Sequence, residues 1–235
     1  MNKFTTDAII IARTDYGDAD RIYTFITSDH GKVQGIAKGV KKPKSRLAGG
    51  LQLFSVCHIT FLVGRGEINT VMSTQLAKQY KAITKDLLAT DAGYEMLNIV
   101  SKLTHEVPED AHFALLQAGL EALDAHSTDV RLARLWFLMH FLQLGGHAPN
   151  FETDNAGNSL EASKKYLFDA DAMQFVPAQN IDTALDSNHI KLLRLSGSLR
   201  AAGSLYKIKD PGKLLPGVED VLKEAFVAVH RFQLQ

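Results

Sequence analysis

Cysteine occurs once in this chain, at Cys57. A lone thiol excludes an internal disulfide and any metal site built from several cysteines. Cys57 lies in the apolar run 54–63 and reads as a small buried side chain. Long hydrophobic runs are missing too. The most apolar stretch, 132–144, contains Arg134 and His140 and is too short to cross a bilayer. The opening segment MNKFTTDAII has no apolar core of signal-peptide length, so a cytoplasmic protein is expected. Surplus charge of one sign is lacking, because 26 Lys and Arg balance 26 Asp and Glu.

Catalytic patterns are equally scarce. No GxxxxGK[ST] phosphate loop occurs; Gly35 and Gly39 have a different spacing. The segment 154–158 has Ala156 at a ligand position and Lys165 where a calcium loop needs glutamate. Asp15, Asp18 and Asp20 precede a strand and read as turn and capping residues. His140 and His147 lack a third ligand, and no serine falls in a His–acid pattern. No enzyme, metal or other cofactor is expected.

What is present is an uneven distribution. Residues 1–80 carry 11 Lys/Arg and 6 Asp/Glu, net +5, whereas 81–235 carry 15 and 20, net −5. The stretch KVQGIAKGVKKPKSRLAGG, 32–50, concentrates Lys32, Lys38, Lys41, Lys42, Lys44 and Arg46 without one acid. The acid-free window runs from His30 to Gly66 and adds Arg65. Residues 32–40 alternate as a strand, with Val33, Gly35, Ala37 and Gly39 on one side. Pro43 and Gly49-Gly50 make 41–50 an irregular, flexible loop. A basic strand running into a basic loop suits a phosphate backbone, which rewards cations by counterion release. The competing reading is a solvated loop that only maintains solubility.

Further strands are expected at 8–12, 21–27, 51–63 and 67–74, with a hairpin across Ser28–Gly31. Five short strands in about 75 residues fit an oligonucleotide-binding (OB) barrel, with an SH3-like barrel as competitor. After Leu76 the period becomes helical. Helices are expected at 91–104 with an Asp91 cap, from Glu109-Asp110 onward, and after Asp129 up to Gly145-Gly146. Val107-Pro108 separates the first two, and further helices cover 190–202 and 218–232. A small hairpin, 165–169 with 173–176, falls between. The expected class is α+β: an OB-type barrel over 1–78, then a helical domain over 79–235 with an insert at 150–177. Single-strand binders stack bases on exposed aromatics. Phe25, Phe54 and Phe61 read as core, while Tyr23 and Tyr16 are the stacking candidates, with core as the alternative.

The run AIIIARTDYGDADRIYTFITSDHGKVQGIAKGVKKPKSRLAGGLQLFS resembles the N-terminal domain of the RecO family of bacterial recombination mediators. The matching points are Arg13, Tyr16-Gly17, Asp20-Arg21, Thr27, Gly31-Lys32, Ala37-Lys38-Gly39, Lys44-Ser45-Arg46, Gly49, Phe54-Ser55 and Gly66-Glu67. The rest of the chain matches in layout only. The resemblance implies a non-enzymatic DNA-repair and recombination protein. It would bind single- and double-stranded DNA, anneal complementary strands, and load recombinase with RecR and the single-stranded DNA-binding protein. Carried onto this sequence, the DNA contacts would be Lys32, Lys38, Lys41, Lys42, Lys44 and Arg46, with Arg13, Arg21 and Arg65 beside them. Many members hold the insert with a four-cysteine zinc site. Here Cys57 is alone, so the insert resembles a degenerate zinc ribbon in which Tyr166, Phe168 and Phe175 must supply apolar contacts. Protein partners are expected on the acidic helical half. An acidic tail there would need a basic patch such as Arg131/Arg134 or Lys191/Arg194. Two other readings stay open: an OB-fold RNA-binding protein of translation or RNA processing, and a metal-dependent hydrolase built on the helical half.

Overall fold

The run Ala8–Ile11 is apolar at every position, and its four side chains are all buried. A strand with one solvated face would alternate instead. The reason is that β1 (Lys3–Tyr16) is covered on both sides. One face lines a closed barrel with β2 (Asp20–Thr27), β3 (Lys32–Ala37), β4 (Ser55–Leu62) and β5 (Ile68–Gln79). The other lies under α1 (Leu87–Leu103) and α2 (Asp110–Asp124), which pack on β1 and β2. A register shift between Ile10 and Ala12 inserts the extra residue that lets β1 serve both layers.

The barrel order is β1-β2-β3-β5-β4, closed by β4 pairing with β1. All pairings are antiparallel except β3 with β5, where Gln34 meets Ile68 and Ile36 meets Thr70. The fold is therefore α+β with an OB-type barrel. That one parallel pairing needs a long crossover, which β4 and the segment 38–54 provide. The barrel interior is filled by Tyr23, Phe25, Ile59, Phe61, Val71 and their neighbours. Gly35 belongs there because any Cβ would lie 2.7 Å from the Phe61 ring.

The structure, a computed structural model, describes residues 2–104, 110–125, 129–178, 184–208 and 211–233. The expected break at Val107-Pro108 and the start at Glu109 lie outside these. Helix α1 begins earlier than the apolar period suggests, because Asp86 rather than Asp91 accepts the Ala89 N–H as N-cap. Strands give way to helices after Gln79, yet the compact units divide later, into 1–126 and 127–235. The first unit therefore contains the barrel together with α1 and α2.

The second unit is built on α3 (Val130–Leu144), which is buried on nearly every side. Asp129 caps it by accepting the Arg131 N–H, and Gly145-Gly146 ends it, with Gly146 at φ 72°. Around it are α4 (Ser187–Ser198), α5 (Leu215–Gln233) and a hairpin of β6 (Lys165–Asp169) and β7 (Gln174–Ala178). Tyr166 and Phe175 are buried in the insert, and the Phe151 and Phe168 rings lie 5.9 and 5.5 Å from Phe175. The Asp154 carboxylate accepts the Ala156 and Asn158 N–H groups, so the segment 154–158 closes on itself as a turn. Among the described residues no helix is long and apolar enough to cross a membrane.

Candidate nucleic-acid interface

The basic segment leaves β3 and stays close to the β1–β2 turn. Gly39, at φ 67°, donates its N–H to the Asp20 carboxylate at 2.7 Å. The Lys41 N–H bonds to Ala19 O at 3.0 Å, and Lys42 N–H and Ser45 N–H form successive turns. Beyond the cations, Val40, Leu47, Ala48, Leu51 and Leu53 pack against the barrel core. Thr74 Oγ1 donates to Leu47 O at 2.9 Å. Gly50 is buried, and a Cβ there would collide with Thr74. The segment read as flexible is thus a plug fastened at both ends, because its aliphatic residues are drawn into the barrel mouth. Its cations are displayed on an anchored scaffold.

Those cations fall into three groups. Lys38, Lys42, Lys44 and Arg46 are exposed and make no ion pair or side-chain hydrogen bond among the described residues. Lys41 and Arg21 are engaged. Arg21 Nε donates to Asp15 at 2.6 Å, and Lys41 Nζ lies 3.3 Å from the same carboxylate and 3.2 Å from Gly17 O. These two partners, Arg21 foremost, hold the Asp15 carboxyl below its usual range. By register, Arg13 shares a face of the β1–β2 ribbon with Asp15 and Arg21, and it is exposed.

Lys32 is the third case and a correction. Its ammonium donates to Thr104 O at 2.8 Å and Ser101 O at 3.1 Å. These are carbonyls at the C-terminal end of α1, where a helix presents unsatisfied acceptors and partial negative charge. Lys32 ties the barrel to α1 and is withdrawn from the surface cations. No sequence pattern revealed this, because the two partners lie about 70 residues apart.

Tyr23 is corrected as well. It is 2% exposed and packs beside Phe25 inside the barrel, since β2 turns Tyr23, Phe25 and Thr27 inward. No base can stack on it. Tyr16, at the tip of the β1–β2 ribbon, is 55% exposed and next to the Asp15–Lys41 contact. The outer face of β2, β3 and β5 carries Ile22, Thr24, Gln34, Ile36, Ile68, Thr70 and Met72. The sequence does not single out this uncharged strip, because its residues follow ordinary strand alternation. Lys38 stands at one end of it. Arg65, in the β4–β5 turn before Ile68, stands at the other, since Ile68 is level with Gln34. An OB barrel presents ligands with its strand 2–3 face and these two turns.

In the second unit Lys191 and Arg194 line one groove together, whereas His140, Arg131 and Arg134 are engaged locally. His140 Nδ1 donates to Trp136 O, and its ring lies 4.4 Å from the Trp136 ring. Arg131 is bonded to Asp129, Arg134 lies 3.7 Å from Glu219, and Arg194 donates to Phe151 O. Among the described residues no three His, Cys, Asp or Glu side chains converge as for a metal. Cys57 donates to Ala8 O in the barrel wall, so the insert does not fit a thiolate-held zinc.

Fold and surface define an OB-barrel protein whose rim displays a cation-rich, acid-free segment beside the acidic β1–β2 turn. Residues 1–80 match the family model for the recombination protein O N terminal, and residues 85–203 that for its C terminal. A DNA repair protein RecO of Dehalococcoides mccartyi is 32% identical over 92% of this chain and 86% of its own length. Those of Streptomyces avermitilis and Myxococcus xanthus are 33% and 30% identical, over 64% and 65% of this chain. This chain spans 64% and 63% of those two proteins, a little under two thirds. The chain belongs to the RecO family, and with it to the proteins of DNA repair and recombination.

Proposed function

We propose that this protein is a non-enzymatic, cytoplasmic recombination mediator that binds single- and double-stranded DNA through the barrel rim and anneals complementary strands. In this reading it loads recombinase together with RecR and the single-stranded DNA-binding protein. The observation that carries it is the quartet Lys38, Lys42, Lys44 and Arg46, exposed and without an ion pair among the described residues, on an anchored segment. Cations free of carboxylate partners release counterions from phosphates at no cost in broken ion pairs. Neutralising two strands at once lowers their repulsion and allows pairing. The lack of exposed aromatics on the outer strip favours backbone contacts, which carry no sequence information. The strip between Lys38 and Arg65 gives the strand a track about four residues long on β3, roughly 13 Å.

A strand-annealing assay with two complementary labelled oligonucleotides, with and without single-stranded DNA-binding protein, tests this. The protein should accelerate annealing, and acceleration should vanish when the quartet is replaced by alanine. Equal annealing by wild type and quartet variant would sink the assignment. Binding of an equal-length RNA more tightly than DNA would favour the RNA-binding reading, since only RNA offers the 2′-hydroxyl.

A further inference from the structure

We propose that the groove between the β6–β7 hairpin and α5 docks a cationic amphipathic segment of a protein partner. The groove has a volume of about 670 Å³, within the range of specific recognition sites. It arises because the hairpin has two faces. Tyr166 and Phe175 turn one way to form the insert's own core, and the Phe168 ring packs at its edge, where it also lines the groove. Leu167 and Val176, opposite each other across the strands, turn the other way and face α5. Ala228 and Val227, the latter 45% exposed, line the same groove from α5. Helix α5 already buries Val218, Val221, Leu222 and Ala225 in the unit's core. A second stripe, Asp220, Glu224 and Val227, falls at helical spacing on its groove side.

The rim selects the occupant. Asp169, Asp171, Asp220 and Glu224 surround the apolar floor, against one cation, Lys223. Among the described residues Asp171, Asp220 and Glu224 make no ion pair, and their side chains accept no hydrogen bond. Carboxylates in this arrangement repel a phosphate backbone, so nucleic acid is disfavoured. A segment with aliphatic residues on one face and Lys or Arg beside them matches both floor and rim, as in helix-in-groove recognition.

The test uses a fluorescein-labelled helical peptide with leucines on one face and lysines on the other, and the same peptide with glutamates for lysines. The full chain should bind the lysine peptide at least tenfold more tightly than the glutamate peptide by fluorescence anisotropy. Asp171→Lys with Glu224→Lys should weaken lysine-peptide binding at least tenfold. Val227→Glu should weaken the glutamate control further, and Val227→Ala should weaken both peptides two- to fivefold. These side chains are exposed, and Asp171→Asn with Glu224→Gln provides a milder variant should the reversed one melt early. Equal lysine-peptide affinity in wild type and charge variants would overturn the proposal. So would weakening by the Lys38, Lys42, Lys44 and Arg46 alanine variant, none of whose substitutions lines the groove. The outcome is independent of whether the barrel binds DNA.

Discussion

The Asp20 carboxylate accepts the backbone N–H of Gly39 at 2.7 Å, joining the β1–β2 turn to the start of the basic segment. The contact presents cations without being one. Asp20→Ala should therefore lower single-strand affinity about fivefold, the worth of one hydrogen bond of about 1 kcal/mol. The salt slope should not change, because the number of phosphates contacted is the same. Asp20→Asn keeps an acceptor oxygen and should behave like wild type. An unchanged affinity in the alanine variant, measured by anisotropy across a salt series, would show that the turn does not position the segment.

Free and engaged cations should separate cleanly. Replacing Lys42, Lys44 and Arg46 by alanine should weaken binding to all single-stranded sequences alike. The slope of log K against log salt should become shallower by about 2. Lys32→Met should leave affinity and slope as they are, while costing about 1 kcal/mol of stability through the lost helix-end contacts. Thermal melting beside the binding titration distinguishes the two. A DNA defect in Lys32→Met without a melting shift would return Lys32 to the interface.

Tyr16 is exposed at the tip of the β1–β2 ribbon, and in the proposed reading it stacks on a base. Tyr16→Ala should weaken single-strand binding about tenfold, from the loss of one stacked base. Duplex affinity should change little, because paired bases offer no free face. Tyr16→Phe should restore single-strand binding. Equal losses for single strand and duplex would mark Tyr16 as a structural residue of the turn.

These residues also mark how far the sequence was legible. The strand order of polar and apolar residues announced five strands, and the lysine-rich run announced the rim. Both signals are local. Tyr23 was misplaced because alternation tells which residues share a face, not which face is inside. With Ile22, Thr24 and Ile26 on one side and Tyr23 and Phe25 on the other, both sides of β2 are apolar enough to be buried. The helices α1 and α2 decide the matter by covering the outer side at Ile26. Lys32 and Asp15 were illegible for a related reason. Their roles are set by partners brought near by folding, the α1 end for one and Lys41 for the other. The apparent flexibility of Gly49-Gly50 failed because close approach to Thr74, rather than freedom, is what requires Gly50.

Cys57 gives a test of the barrel that needs no DNA. Its thiol is 1% exposed and donates to Ala8 O at 3.3 Å, and burial, reinforced by Asp7, pushes its pKa up to about 12 from 9.0. Only the thiolate reacts with disulfide reagents, so labelling at pH 8 should be very slow in the native protein and fast in denaturant. The same shift fixes a stability trend. Between pH 9 and about pH 12 the unfolded chain releases the thiol proton while the folded chain keeps it. The folded state then binds more protons, and stability falls as pH rises through that window. Tyr80, whose hydroxyl burial also pushes up, adds to the fall. Cys57→Ser or Cys57→Ala should flatten part of the decline when melting temperatures are compared from pH 8 to pH 11. A wild-type stability independent of pH over that range, or rapid native labelling, would mean that the barrel wall opens at Cys57.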